Sequence, residues 1–186
     1  MAGSEEERLL LASQQDKEPF DWSRDGSVLV FGSQGDLMAL PMAGDAEPVT
    51  VIADEGFHFS GSLSPDGKWF ASTQLSTESS MVFATSFPEP GRRWQICKDA
   101  GGDGIWSADG KQILYVRPDG QIVAVNVSTD GSGLRIGAEE PLFARRDALG
   151  GTATADQQKF LLLVRPKGRQ VAPLILVQNW LQEVNR

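Results

Sequence analysis

Short apolar runs separated by polar turns dominate this chain, and they recur in the same order four times. The runs at 28–31, 69–71, 113–116 and 160–164 are contiguous in hydrophobicity, which suits strands buried on both faces. Each follows a polar phrase: Trp22-Ser-Arg-Asp-Gly26, Leu63-Ser-Pro-Asp-Gly67, Trp106-Ser-Ala-Asp-Gly110 and the worn Ala153-Thr-Ala-Asp-Gln157. From Gly26 through Gly67 and Gly110 to Gln157 the intervals are 41, 43 and 47 residues. A repeat of that length, built of short strands and tight turns, predicts a propeller blade.

The third repeat is the clearest. Residues 104–107 predict a first strand, and Asp109-Gly110 a type I′ hairpin turn, because both residues tolerate positive φ. Residues 111–117 form the second strand, 118–120 another turn, 121–127 an alternating third strand and 141–144 a fourth. The first repeat predicts strands at 20–23, 27–32, 36–40 and 48–53, and the second at 59–63, 68–73, 81–85 and 94–97. The fourth has only 151–154, 159–164 and 174–179, while an apolar stretch at 7–12 stands spare before the first repeat. Pairing the two chain ends would remove an open sheet edge, so the strand around Leu9 to Leu11 is expected to complete the last blade. Gln157, where the other copies have glycine, predicts a longer or differently shaped loop.

The expected fold class is all-β, a β-propeller of four-stranded antiparallel blades, with no helix-period segment of any length. Its expected map is a tail at 1–6, a propeller at 7–182 and a tail at 183–186. The blades fall at 19–53, 57–97, 101–144 and 149–179, the last with strand 7–12.

Composition narrows the partners. A net charge of −8 and a pI near 4.7 exclude nucleic acid as the main partner and disfavour anionic membranes. They leave cationic ligands and basic protein surfaces. One cysteine, Cys97, allows neither an intrachain disulfide nor a cysteine-based zinc site, and it reads as a small strand residue. No stretch approaches the roughly 20 apolar residues of a membrane helix, so membrane insertion is not expected. The acidic start, Met-Ala-Gly-Ser-Glu-Glu-Glu, is unlike a signal peptide. As written the chain is expected to be soluble and cytoplasmic, or exported if it belongs to a longer membrane protein.

The phrases at 22–26, 64–67 and 106–110 resemble the PD40 family of WD40-like, TolB-like propeller repeats, whose signature is Trp-Ser-Pro-Asp-Gly before an apolar strand. The chain also resembles the C-terminal propeller part of bacterial PD40 proteins, many of which carry a serine/threonine kinase. The further matches are a Gly-Asp-Leu-x-Ala-Leu-Pro run at 35–41, a Trp-Gln-Ile strand at 94–96 and Asn179-Trp180. The resemblance covers roughly residues 8–182 and implies a propeller that senses, binds or scaffolds, usually with six or more blades. It transfers no catalytic residue. The glycine-rich loop with its lysine and the His-Arg-Asp loop of a kinase are missing from the sequence, so kinase activity is not carried over.

Candidate chemistry lies in the loops joining one blade to the next, which gather on one face around the axis. Asp54, Glu55, Asp99 and Asp103 fall there, and converging carboxylates could hold a hard cation such as Ca²⁺, although the spacing is not that of an EF-hand. Arg145 and Arg146 occupy the third such loop and could complete a mixed-charge rim for a peptide. Arg92 and Arg93 read as charges guarding an outer edge, and Asn126-Val-Ser128 as a coincidental glycosylation pattern. His58 is the only histidine; a catalytic triad would need it with Ser60 or Ser62, yet no Gly-x-Ser-x-Gly elbow exists and Phe-His-Phe reads as strand. The tryptophans at 22, 69, 94, 106 and 180 are assigned to packing between blades. No cofactor is required. The expected function is a non-catalytic binding or sensing platform for a protein partner or small-molecule ligand. The alternative is a propeller-based hydrolase or lyase, metal-dependent or not, with acids around the axis. Four blades either close a small ring or leave an open arc that a homodimer would complete.

Overall fold

The computed structural model describes residues 9–44, 46–53, 56–89, 91–130, 133–154, 159–164 and 174–178, with the backbone alone at 149–150 and 174–178. Every regular element in it is a β-strand. The first sheet contains β1 (Glu18–Trp22), β2 (Val28–Ser33), β3 (Asp36–Pro41) and β4 (Val49–Ile52). The second contains β5 (Phe57–Leu63), β6 (Trp69–Leu75), β7 (Ser80–Ser86) and β8 (Arg93–Gln95). The third contains β9 (Gly102–Trp106), β10 (Gln112–Val116), β11 (Gln121–Asp130) and β12 (Gly133–Ala144), and the fourth β13 (Ala148–Ala153), β14 (Lys159–Val164) and β15 (Leu174–Gln178). Within each sheet the strands pair antiparallel in sequence order, an up-and-down meander. The fold is therefore the expected all-β array of propeller blades. Among the described residues there is no helix long and apolar enough to cross a membrane.

The Ser-x-Asp-Gly phrase folds the same way three times. Gly26, Gly67 and Gly110 each donate their backbone N–H to the carbonyl of Ser23, Ser64 and Ser107, at 2.8, 2.9 and 3.0 Å. Each serine hydroxyl donates to the aspartate two residues on, Asp25, Asp66 or Asp109, at 2.6–2.8 Å. The same serine oxygen accepts the N–H of Val28, Trp69 or Gln112, which opens or abuts the next strand. Only the glycine of each phrase has positive φ, so these are type I turns with a left-handed glycine after them, and not the type I′ turns expected from Asp-Gly. The serine and aspartate side chains hold the aspartate in ordinary φ space and leave the left-handed step to glycine.

Packing between sheets is regular. Trp22 pairs with Leu29, Leu63 with Phe70, Trp106 with Ile113 and Ala153 with Phe160, so each pair shares one face of its sheet. In the second and third sheets this face lies against the preceding sheet: Leu63 and Phe70 cluster with Val30 and Ala39, and Trp106 and Ile113 with Ala71 and Val82. The opposite face meets the following sheet, where Leu114 and Ile122 bury against Phe160 and Leu162. Innermost strands also touch in order, β1 with β5, β5 with β9 and β9 with β13. No extensive contact joins the first sheet to the fourth among the described residues.

Two expectations need correction. Residues 9–13 form no strand, and the fourth sheet ends at β15, so the N-terminal stretch does not complete the last blade among the described residues. Leu9, Leu10, Leu11 and Ala12 instead line a cleft with Leu40, Pro41 and Met42, over the outer half of the first sheet. The β11–β12 hairpin is longer than expected, running to Asp130 and starting again at Gly133. Its polar outer half, with Arg135, Glu139 and Glu140 in β12, hides the strand period, while Leu134 buries one side of it. The turn at Gln157 lies outside the described residues.

Candidate binding site

The four innermost strands surround a central cleft of about 470 Å³. Its walls come from Glu18 to Asp21 on β1, Phe59 to Leu63 on β5, Asp103 to Trp106 on β9, and Gly151 and Thr152 on β13. A second opening of about 270 Å³, between Trp22, Pro65, Ser107 and Thr154, marks the turn-side end of the same axis. The inner strands approach closely because glycine lines them. A Cβ on Gly104 would stand 2.6 Å from Val82 Cγ1 of the preceding sheet.

Of the expected site residues, the structure brings Asp103 alone into this cleft. Asp103 sits in β9 with φ of 56°, in the left-handed region that aspartate tolerates better than most residues. Burial raises its carboxyl above the usual aspartate range, partly offset by a hydrogen bond with Ser60. Asp99 is exposed in the connection before β9, away from the cleft. Arg145 donates to Asp147 at 2.6 Å, and Arg146 is exposed beside it; neither lines the cleft. Asp54 and Glu55 lie outside the described residues. Among the described residues no three His, Cys, Asp or Glu side chains gather as a metal site would require.

Sequence reading passed over Glu18 and Asp21, which line the cleft from the first sheet. Asp21 Oδ1 accepts the N–H of Trp22 at 2.8 Å, and Oδ2 that of Leu63 in the second sheet at 2.7 Å. The available signal was position: Asp21 precedes the repeat phrase, as Ser62 does in the second copy, and Ser62 Oγ accepts the N–H of Trp106 at 2.8 Å. His58 is buried, 1% exposed, and it borders a different cleft formed with residues 14–18. Cys97 is buried too, its sulfur accepting the N–H of Val82. Trp69 and Trp94 stack edge to face at 5.1 Å in the second sheet, whereas Trp22 is half exposed, unlike the packing role expected of it. Trp180 lies outside the described residues.

No family model matches the sequence, and no curated protein matches it. Solved structures do. One assigned as TolB from Agrobacterium tumefaciens superposes with a TM-score of 0.72 at 22% identity, over 92% of this chain and 61% of that one. TolB from Acinetobacter baumannii gives a TM-score of 0.72 at 19% identity, over 91% of this chain and 42% of that one. The fold is a TolB-like β-propeller fold. The Cps50 (Swd1) propeller domain from Myceliophteria thermophila is also similar, with a TM-score of 0.59 at 14% identity, over 90% of this chain and 59% of that one. The chain thus spans less than two thirds of the length of each of these chains, and such low identity carries the architecture without a function.

Proposed function

We propose that this chain is a non-catalytic binding module whose central cleft takes a basic group, above all a lysine or arginine side chain on a protein partner. The lining carries this reading. Glu18, Asp21 and Asp103 border one cleft, and no lysine or arginine is among its described lining residues. A partly desolvated acidic cleft concentrates potential toward cations, and Phe20, Phe59 and Trp106 in its walls add aromatic surface for a guanidinium or ammonium.

The TolB-like and WD40-type propellers that share the fold support an interaction module at this coarse level. The alternative, a hydrolase or lyase with acids around the axis, would draw on the same Glu18, Asp21 and Asp103, and the one histidine takes no part in it, being buried beside a different cleft. Fluorescence-polarisation binding of an extended peptide with a central arginine, compared with its glutamate counterpart, tests the proposal. The arginine peptide should bind, the glutamate peptide should not, and Asp103→Asn should weaken binding about tenfold, ~1.4 kcal/mol. Equal binding of both peptides, or none of either, overturns it.

A further inference from the structure

We infer that a second cleft, at the junction of the first and second sheets, is a binding site for a neutral pyranose sugar. This inference goes beyond the cation reading of the central cleft and does not depend on it. The second cleft has a volume of about 500 Å³, within the range of small-ligand sites. One wall is the chain leading into β1, residues 14–17, together with Glu18. The other comes from Gln34 in the β2–β3 turn and from Phe57 and His58 at the start of β5. Hydrogen bonds hold both walls in shape. Ser33 Oγ donates to the carbonyl of Asp16 at 3.2 Å, and the N–H of His58 donates to the carbonyl of Gly35 at 3.1 Å.

Backbone strain marks Gln34. Its φ of 55° and the 96° of Gly35 make a two-residue hairpin turn, flanked by the Ser33–Asp36 pair, in which both residues are left-handed. Glycine, asparagine or aspartate at the first position would meet that demand at lower cost. Among the described residues one other non-glycine has positive φ, Asp103, and it lines the central cleft. The corresponding turns of the second and third sheets contain no such residue. Strained backbone of this kind persists where the side chain it aims is needed. At Gln34 that side chain borders the second cleft.

The groups around this cleft suit hydroxyls. The amides of Gln14, Gln15 and Gln34 each present both donors and an acceptor, as a hydroxyl does, and the carboxylates of Asp16 and Glu18 accept from hydroxyl donors. Lys17, the lysine of the wall, is turned to its own loop, where it donates to Ser13 Oγ at 2.6 Å and to the Gln15 carbonyl at 2.9 Å. Phe57 is 52% exposed and offers aromatic surface to the C–H side of a pyranose ring. Its ring lies so close to Gly35 that a Cβ there would stand 3.1 Å from Cδ2, so the turn supports it from behind. An anion would meet two carboxylates. A cation would use those carboxylates and leave three amides with nothing to recognise. An uncharged ring with several hydroxyls and an apolar side uses every one of these groups.

Saturation-transfer NMR on the full chain tests this with the methyl glycosides of glucose, galactose, mannose and N-acetylglucosamine, each at millimolar concentration. At least one should show saturation of its ring protons. Phe57→Ala and Gln34→Gly should each weaken binding of that sugar by about tenfold or more. Asp103→Asn, in the central cleft, should leave it unchanged. Gln34→Gly relieves the left-handed strain, so its thermal midpoint should match or exceed that of the wild type, which separates lost binding from lost fold. No saturation with any of the four sugars overturns the inference. So does a signal that either substitution, at Phe57 or at Gln34, leaves undiminished.

Discussion

The carboxylate of Asp21 in the first sheet reaches across the first junction and accepts the backbone N–H of Leu63 at 2.7 Å. It also borders the central cleft, so one side chain serves both blade packing and the charge of the site. Asp21→Ala leaves the Leu63 N–H without its acceptor and should destabilise the chain by about 1–3 kcal/mol, the cost of losing a hydrogen bond to a charged group. Asp21→Asn keeps an oxygen in place and should cost less. Urea unfolding of the two variants, at an unchanged denaturant slope, checks the difference.

Asp103 makes an opposite prediction. Its carboxyl is raised above the ordinary value of 3.8, chiefly by burial. Between that value and the raised one, the folded chain holds a proton that the unfolded chain has released, so stability falls as pH rises through the window. Asp103→Asn removes the buried charge, keeps a residue that tolerates positive φ, and should raise the midpoint of thermal unfolding at neutral pH while flattening its pH dependence. A midpoint that drops on this substitution would show the carboxylate to be stabilising.

The inner strands depend on glycine for close approach. A Cβ on Gly61 would run into the carbonyl oxygen of Ala71 and the ring of Phe70. Backbone cannot yield as a flexible side chain can, so Gly61→Ala should destabilise by about 1–3 kcal/mol, whereas Gly44→Ala is resisted only by its φ of 67°, with no atom within 4 Å of the new Cβ. Comparing the two by thermal unfolding separates crowding from backbone strain.

The Asp25 carboxyl is lowered to about 2, first by the Ser23 hydroxyl and then by the N–H and hydroxyl of Ser27. Unfolded, it would titrate near 3.8. Its contribution is thus fully present above that value and disappears as pH falls toward about 2. The Asp25 side-chain carbon followed by NMR should titrate near 2 in the wild type, and Ser23→Ala should move it toward 3.8. An unmoved titration would show that the turn does not rest on this hydroxyl.

Much of the fold was legible because a blade is a local object. The phrase at Trp22, Leu63 and Trp106 announces a turn whose hydrogen bonds lie within five residues, and the apolar runs after it mark strands buried on both faces. The end of the array was not legible. Whether residues 9–12 reach the fourth sheet depends on the angle accumulated over every junction, and no local pattern encodes that sum. Loop acids were likewise poor guides: Asp99 and Asp103 lie close in sequence, but only Asp103 enters a strand and turns to the cleft.

By itself, then, the sequence determined the blades: their number, strand order and where the chain turns, because hydrophobic period and turn chemistry act over a few residues. Tertiary structure alone decided which side chains meet. It brought Glu18 and Asp21 to the same cleft as Asp103, put Asp21 against Leu63, and left Trp22 and Leu161 uncovered at opposite ends. Those outcomes follow from how rigid sheets stack around an axis, a relation among residues more than forty positions apart.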